Sequence, residues 1–244
     1  MEPKIFIGWD AREHLGWQVC AASLQRHASY PVQVQPISRP ELIGRGLYHR
    51  PQRLIDGVQH DEISNAPVST DFSLARFWVP LLAGTTGWAM FVDCDFMFRS
   101  DVRRLFERCD PRYAAMVVPH QHVPVETEKM DGQVQTVYPR KNWSSLVLWN
   151  MAHAGTRRLT TYLLNNAPGR DLHRFHWLKD EEIGFLPESW NWLDGHSDPA
   201  MHVDAVHFTR GTPDMPGWEH TRYAAEWNRY AQALTPAPRA EVLA

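Results

Sequence analysis

The sequence predicts an α/β fold in a single domain, and three of its features point there. The first forty residues run strand, polar turn, helix, strand. Apolar, β-rich runs then alternate with stretches of helical periodicity. One of those runs ends on two aspartates spaced to share a face. With 244 residues, 43% of them hydrophobic, the chain can bury one sizeable core within the span that α/β folds fill as one unit. The domain is expected over residues 1–234, with the Pro/Ala-rich stretch 235–244 as a disordered tail.

The net charge of -3 and the lack of a long basic run give no electrostatic footprint for nucleic acid or an anionic membrane surface. Small molecules are the expected partners. Met1-Glu2-Pro3-Lys4-Ile5-Phe6-Ile7 enters a strand at once, without the pattern of a secretory signal, and no apolar run approaches the ~18 residues of a transmembrane helix. A cytoplasmic protein without a transmembrane segment is therefore expected. Cys20, Cys94 and Cys109 are an odd number without metal-ligand spacing, and read as small hydrophobes. Most of the eleven tryptophans are expected in the core.

Lys4 to Gly8 is the first strand, His14 to Ala28 a helix with Leu15, Val19 and Ala22 on its apolar stripe, and Val32 to Ile37 the second strand. Asp10 falls at the C-terminal edge of the first strand, where open α/β sheets bind ligands, and is equally suited to cap the helix. Arg39 to Pro67 reads as a loop-rich excursion with one short helix. Ser69 to Leu82 has a cap and an apolar helical face, with Pro80 ending or kinking the helix. Arg76 lies on that face among apolar neighbours and needs an anionic partner, either a diphosphate or a protein carboxylate.

Trp88 to Val92 is a strand, Phe96 to Phe98 is extended, and Ser100-Asp101 caps a helix over Val102 to Arg108. Tyr113 to Pro119 is the next strand, and the polar stretch Glu126 to Lys141, with a turn at Asp131-Gly132, is a connection. Asn142 to Asn150 forms a buried strand whose start is rich in small polar groups suited to sugar hydroxyls. A helix follows over Thr156 to Asn165, and a helical piece over His173 to Gly184 carries the acids Asp180, Glu181 and Glu182. Leu186 to Trp192 is extended, Ala205 to Gly211 holds a short strand with His207 at its centre, and Tyr223 to Leu234 is an amphipathic helix.

The chemistry gathers at Phe91-Val92-Asp93-Cys94-Asp95-Phe96. On an extended chain Asp93 and Asp95 point to one side while Cys94 turns to the other. Two like charges at the end of a buried strand need a counter-charge, and hard oxygen ligands suit a divalent magnesium, calcium or manganese ion. An Asp-x-Asp triplet alone is weak evidence, so the surrounding motifs matter.

Those motifs, in order, are an arginine in a Ser-rich helix, Val92-Asp93-Cys94-Asp95, Ser144-Ser145-Leu146-Val147-Leu148-Trp149-Asn150, the acids Asp180-Glu181 before Leu186-Pro187-Glu188-Ser189-Trp190-Asn191, and Val206-His207-Phe208-Thr209. Their order resembles glycosyltransferase family eight, the glycogenin-like and lipopolysaccharide galactosyltransferase-like enzymes, over roughly residues 4 to 218. The resemblance implies a single GT-A, Rossmann-like domain with a mixed central sheet. It also implies a UDP-sugar donor, a glycan or other hydroxyl acceptor, and a Mn2+ ion, with Mg2+ as the alternative.

Carried over by position, the resemblance makes Asp93, Asp95 and His207 the metal ligands. Arg76 becomes the basic residue at the donor, Asp180 and Glu181 the pair beside the anomeric carbon, and Asp10, Asn142, Ser144, Arg210 and Gly211 the donor contacts. It implies transfer of a hexose with retention, either through a carboxylate nucleophile, Asp180 or Glu181, or by attack on the leaving-group face. The chain departs from the family pattern at Trp143-Ser144-Ser145, at Glu181, and at Gly211 to Trp218, which lacks a lysine that Arg210 would replace. The alternative functions are a sugar-nucleotide binding protein without turnover and a metal-dependent nucleotidyltransferase or phosphohydrolase.

Overall fold

The structure, a computed structural model, describes residues 3–120 and 143–234. Strand β1 (Lys4–Gly8) leads through a polar turn into helix α1 (His14–His27) and strand β2 (Gln33–Ile37), which lies parallel to β1. The expected β-α-β opening is present with these bounds.

The segment after it differs from expectation. Beyond the short helix α2 (Arg39–Gly44), strands β3 (Gln52–Ile55), β4 (Val58–Asp61) and β5 (Ala66–Pro67) form a small antiparallel sheet where a loop was expected. Asp56 and Gly57, both with positive φ, make the two-residue turn that joins β3 to β4, a turn type that favours Asp-Gly because its backbone twist matches that of the strands. Arg50 and Asp61 form a fully buried ion pair, and Nη1 of Arg50 donates to the carbonyls of Leu164 and Ala167 at 2.8 Å. That pair ties the small sheet to the chain at Leu164 and Ala167.

The helix expected over Ser69 to Leu82 is a 3-10 turn at Ala75–Trp78 followed by α3 (Val79–Ala83). Pro80 sits in the first turn of α3, where its missing N–H costs nothing, so the proline starts a helix instead of ending one. Strands β6 (Trp88–Val92) and β7 (Phe96–Phe98) flank the acidic pair, followed by α4 (Arg103–Phe106) and β8 (Ala115–Val117). After a 3-10 turn at Trp143–Ser145 come β9 (Leu146–Asn150), α5 (Thr161–Asn166) and α6 (Gly169–His173).

The helical piece expected over His173 to Gly184 is absent. Phe175 has a left-handed backbone that closes α6, and Asp180–Glu182 form one 3-10 turn leading into β10 (Ile183–Phe185). Strands β11 (Trp192–Leu193) and β12 (Ala205–His207) and helix α7 (Ala224–Leu234) complete the described chain.

The central sheet has the order β10-β8-β9-β6-β1-β2. It is mixed: β9 runs antiparallel to β6 and to β8, while the remaining pairs are parallel. All five residues of β9 are buried, consistent with its continuous apolar run. A second sheet, β11-β12-β7, packs with α1 and α7 around Val19, Met97, Trp192, Val206, Phe208 and Trp227. Trp78, Trp149, Trp190, Trp192 and Trp227 are all buried, in keeping with the core role expected of them. Among the described residues, no helix is long and apolar enough to cross a membrane.

Because β1 and β6 are parallel neighbours, Asp10 and Asp93 emerge at the same C-terminal edge of the sheet. The chain reverses between β6 and β7, and antiparallel pairing of β7 with β12 sets His207 opposite Phe96. Residues from the middle and the end of the chain thereby meet at that edge.

Candidate metal centre

Asp93, Asp95 and His207 each present one ligand atom, and these atoms lie within 4.8 Å of one another. Three backbone contacts fix the trio. Asp93 N–H donates to the carbonyl of Ser145 at 2.9 Å, Phe208 N–H donates to the carbonyl of Asp95 at 3.0 Å, and the β7–β12 pairing supplies the rest. The His207 ring stacks on Phe96 with centroids 4.3 Å apart, and its Nδ1 lies 2.8 Å from Oδ1 of Asn191. Nδ2 of Asn191 donates to Ser145 Oγ at 2.9 Å, so Oδ1 faces the imidazole, placed to accept a hydrogen bond from Nδ1. Nε2, on the other side of the ring, lies 3.3 Å from Oδ2 of Asp95.

The residues fit a divalent cation on two counts. Oδ1 of Asp93 and Oδ1 of Asp95 are buried and accept no aligned hydrogen bond; Nη1 of Arg76 comes within 2.9 Å of the first, but its bond at 3.3 Å is directed at Oδ2. Buried acceptors left in this state are costly unless a cation satisfies them. The donor set, two carboxylates and an imidazole, suits a hard to borderline metal.

The local field is strongly acidic. Burial, reinforced by the like charge of Asp95 and opposed by Arg76, pushes the Asp93 carboxyl up to about 6. Glu13, in the turn before α1, is raised to about 7 by burial and then by Asp95, and the Cys94 thiol donates to its Oε2 at 2.9 Å. Glu13 had not been singled out in the sequence, because its approach to the acidic pair depends on α1 packing beside β7.

Arg76 is beside the trio, and its anionic partner is Asp93; Nε and Nη1 also donate to the carbonyls of Ser73 and Ser144, and the guanidinium lies over the Phe91 ring at 4.9 Å. Ser144 is buried at the entry to β9, its hydroxyl 2.8 Å from Nδ1 of His173, a residue not selected from the sequence. Asp10 is buried and caps the turn after β1: its carboxylate accepts from Arg12 and from the N–H of Asp71 at 3.0 Å, and these bonds, outweighing burial, hold it below the ordinary carboxylate value.

Arg210 pairs with the buried Asp194 at 3.2 Å and stacks on Trp218 at 4.7 Å. Gly195 and Gly211 make room for this arrangement, since a Cβ on the first would overlap Arg210 and on the second Trp218; both have positive φ. Asn142, the turn at Asp131-Gly132 and the tail 235–244 lie outside the described residues.

Asp180 and Glu181 are not brought to the trio, which corrects their expected place beside the reacting carbon. They are exposed and precede β10, at the edge where the parallel strands begin. Ile183 pairs with Ala115, Ala115 with Trp149 and Trp149 with Ala89, so the start of β10 is level with a residue four positions before Asp93 and three strands across. At about 3.3 Å per residue and about 4.8 Å per strand, the two acids are on the order of 20 Å from the cluster. The third acid, Glu182, is bound to Arg158 at 2.7 Å.

No family model matches the chain. Among solved structures, the galactosyltransferase LgtC, determined with donor and acceptor sugar analogues, superposes with a TM-score of 0.58 at 12% identity, covering 97% of this chain and 98% of LgtC. The bifunctional glycosyltransferase WbbM gives 0.62 at 14% identity over 96% of this chain and 50% of its own. The glycosyltransferase GlyE of Streptococcus pneumoniae gives 0.59 at 13% identity, covering 94% and 61%. At such identities the likeness establishes the fold, which is GT-A. Protein CDI of Arabidopsis thaliana is 44% identical over 229 residues, 92% of this chain and 84% of that protein. The chain therefore belongs to the family of the Arabidopsis protein CDI and folds as a GT-A domain.

Proposed function

We propose that this protein is a metal-dependent glycosyltransferase of family eight, moving a hexose from a UDP-sugar to a hydroxyl of a glycan or other acceptor with retention of configuration. The observation that carries the proposal is the Asp93–Asp95–His207 cluster, with two buried carboxylate oxygens lacking aligned donors, at the strand edge where α/β domains bind ligands. The GT-A architecture and the glycosyltransferase activities named for LgtC, WbbM and GlyE support it.

Asp93, Asp95 and His207 would hold the cation, and the imidazole favours Mn2+ over Mg2+. When bound, the ion supplies electrostatic stabilisation for the charge that develops on departing UDP. Arg76 fixes the Asp93 carboxylate and adds positive charge on the same side. Ser144, with Asn142, binds sugar hydroxyls; Arg210 and Gly211 border the diphosphate; Asp10 holds the turn that faces the nucleotide. In the transfer, the bond from the anomeric carbon to the β-phosphate oxygen breaks and a bond to the acceptor oxygen forms. The acceptor's proton passes to a phosphate oxygen of the leaving group. With Asp180 and Glu181 at the far edge, attack on the leaving-group face is the route to retention that needs no carboxylate from that pair.

The test is UDP release from UDP-glucose and UDP-galactose with Mn2+, beside melting temperatures with UDP, UDP-sugars and nucleoside triphosphates. Stabilisation and turnover with UDP-sugars are expected. Stabilisation without UDP release would point to a binding protein, and a nucleoside triphosphate giving the larger shift would point to nucleotidyl transfer or phosphate hydrolysis.

A further inference from the structure

Asn191 is completely buried, in the 3-10 turn before β11, and touches neither carboxylate of the cluster in any hydrogen bond. Its amide nevertheless joins the segments that supply the three ligands. Nδ2 donates to Ser145 Oγ at 2.9 Å, and the backbone carbonyl of that same Ser145 receives the N–H of Asp93 at 2.9 Å. Oδ1 faces Nδ1 of His207 at 2.8 Å, with the imidazole held flat on Phe96 on its other side.

An imidazole in water favours neither position strongly enough to fix its proton, and a metal ligand must keep one ring nitrogen bare. With Nδ2 turned to Ser145, the amide offers its oxygen to the ring, an arrangement that favours the proton on Nδ1 and leaves Nε2 free for a cation where it faces Asp95. An Nε2–H ring would place its hydrogen where a cation must sit.

We propose that Asn191 is a positioning residue for the metal centre: through Ser145 on one side and His207 on the other, it selects the Nδ1–H tautomer and aims Nε2 at the ion. This rests on the metal-site reading above. Removing the amide frees the ring to rotate or change tautomer, which for groups of this kind weakens metal binding about 10–100-fold. A carboxylate in its place still accepts from Nδ1 and preserves the tautomer.

The experiment compares wild type, Asn191→Ala and Asn191→Asp in the absence of any nucleotide. Mn2+ affinity is measured by electron paramagnetic resonance titration, and the His207 tautomer by long-range nitrogen–proton correlation in the metal-free protein at about pH 8. The expected result is an Nδ1–H ring and Mn2+ binding in wild type, roughly 10–100-fold weaker binding with a changed tautomer in Asn191→Ala, and recovery of both in Asn191→Asp. A structural role alone would lower melting temperature in both variants without moving the tautomer. Wild type that binds no Mn2+ overturns the metal-site reading and this inference together. Wild type that binds, with Asn191→Ala binding equally well or with an Nε2–H ring in wild type, overturns the inference alone. Should Asn191→Ala fail to fold, the wild-type ring and Asn191→Asp still decide: an Nε2–H ring, or loss of binding in Asn191→Asp, refutes it.

Discussion

Nε2 of His207 faces Oδ2 of Asp95 at 3.3 Å, a meeting enforced by antiparallel pairing of β12 with β7. With Nδ1 committed to Asn191, two lone-pair-bearing atoms confront one another there unless a proton or a cation lies between them. The cluster's function is therefore tested by the cation itself.

Asp95→Asn and His207→Ala each remove one ligand without touching the hydrogen-bond ladders of β7 and β12. Both variants are expected to fold, to lose Mn2+-dependent release of UDP, and to lose the melting shift that saturating Mn2+ gives wild type. At a hundredfold excess over Kd that stabilisation is about 2.7 kcal/mol, or roughly 5–10 °C for a domain of this size. Scanning calorimetry with and without Mn2+ measures it, and an unchanged shift in either variant removes that residue from the ligand set.

Asp180→Asn and Glu181→Gln are expected to leave UDP release within about twofold of wild type, the range of exposed substitutions. Both side chains stand at the opposite edge of the sheet. Steady-state rates on the purified variants check this, and a hundredfold fall in kcat for either would mean that the 3-10 turn before β10 reaches the substrate after all.

The contrast between these two pairs shows what the sequence could and could not convey. Helix α1 follows from a periodicity of 3.6 and strand β2 from alternation, while β1 and β6 follow from short apolar runs, all of them local signals; Asp93 and Asp95 do converge as expected, but across the turn at Cys94-Asp95 between β6 and β7 and not on an extended strand. The resemblance placed His207 beside them. Local pattern did not reveal that Phe175 would leave the helix at a left-handed residue, nor that Pro80 would begin a helix, because both depend on neighbours distant in sequence. The β3–β4 hairpin has a local signature, the Asp56-Gly57 turn, inside a segment whose prolines and glycines otherwise read as loop. Asn191 stands in one of the motifs that carry the resemblance, but its role, like those of Glu13 and His173, needs the fold, since each acquires it from a partner on another element.

Glu13→Gln addresses the acidic field around the site. The ordinary glutamate value is 4.5 and the folded value about 7, raised by burial and then by Asp95, so the folded chain holds this proton more tightly than the unfolded chain. The carboxylate then costs nothing below 4.5, and its penalty grows to full size above about 7. In metal-free buffer, Glu13→Gln should be more stable than wild type at about pH 8, by up to roughly 3 kcal/mol, and no more stable at about pH 4. Urea unfolding at both pH values measures it, and a gain that is equal at the two would contradict the assignment.

Asp61→Ala strands the Arg50 guanidinium with no carboxylate in a site where both side chains have zero exposure. Loss of one partner of such a pair costs about 3–5 kcal/mol. Burial alone would raise Asp61, but hydrogen bonds from Arg50 and Ser64 outweigh it and lower its value below 3.8. The pair therefore stabilises fully above that value, and its contribution is lost as pH falls below it. Asp61→Ala should unfold at lower urea concentration at neutral pH and lack this acid-dependent loss; a variant as stable as wild type would show that the small sheet is not anchored through Arg50.

The most direct measurement is a crystal soaked with Mn2+ and UDP, read at the manganese absorption edge. An anomalous peak bounded by Asp93 Oδ1, Asp95 Oδ1 and His207 Nε2, with the diphosphate of UDP on its open side, is the predicted result. A peak elsewhere, or nucleotide bound with no ion among those three atoms, would contradict the account.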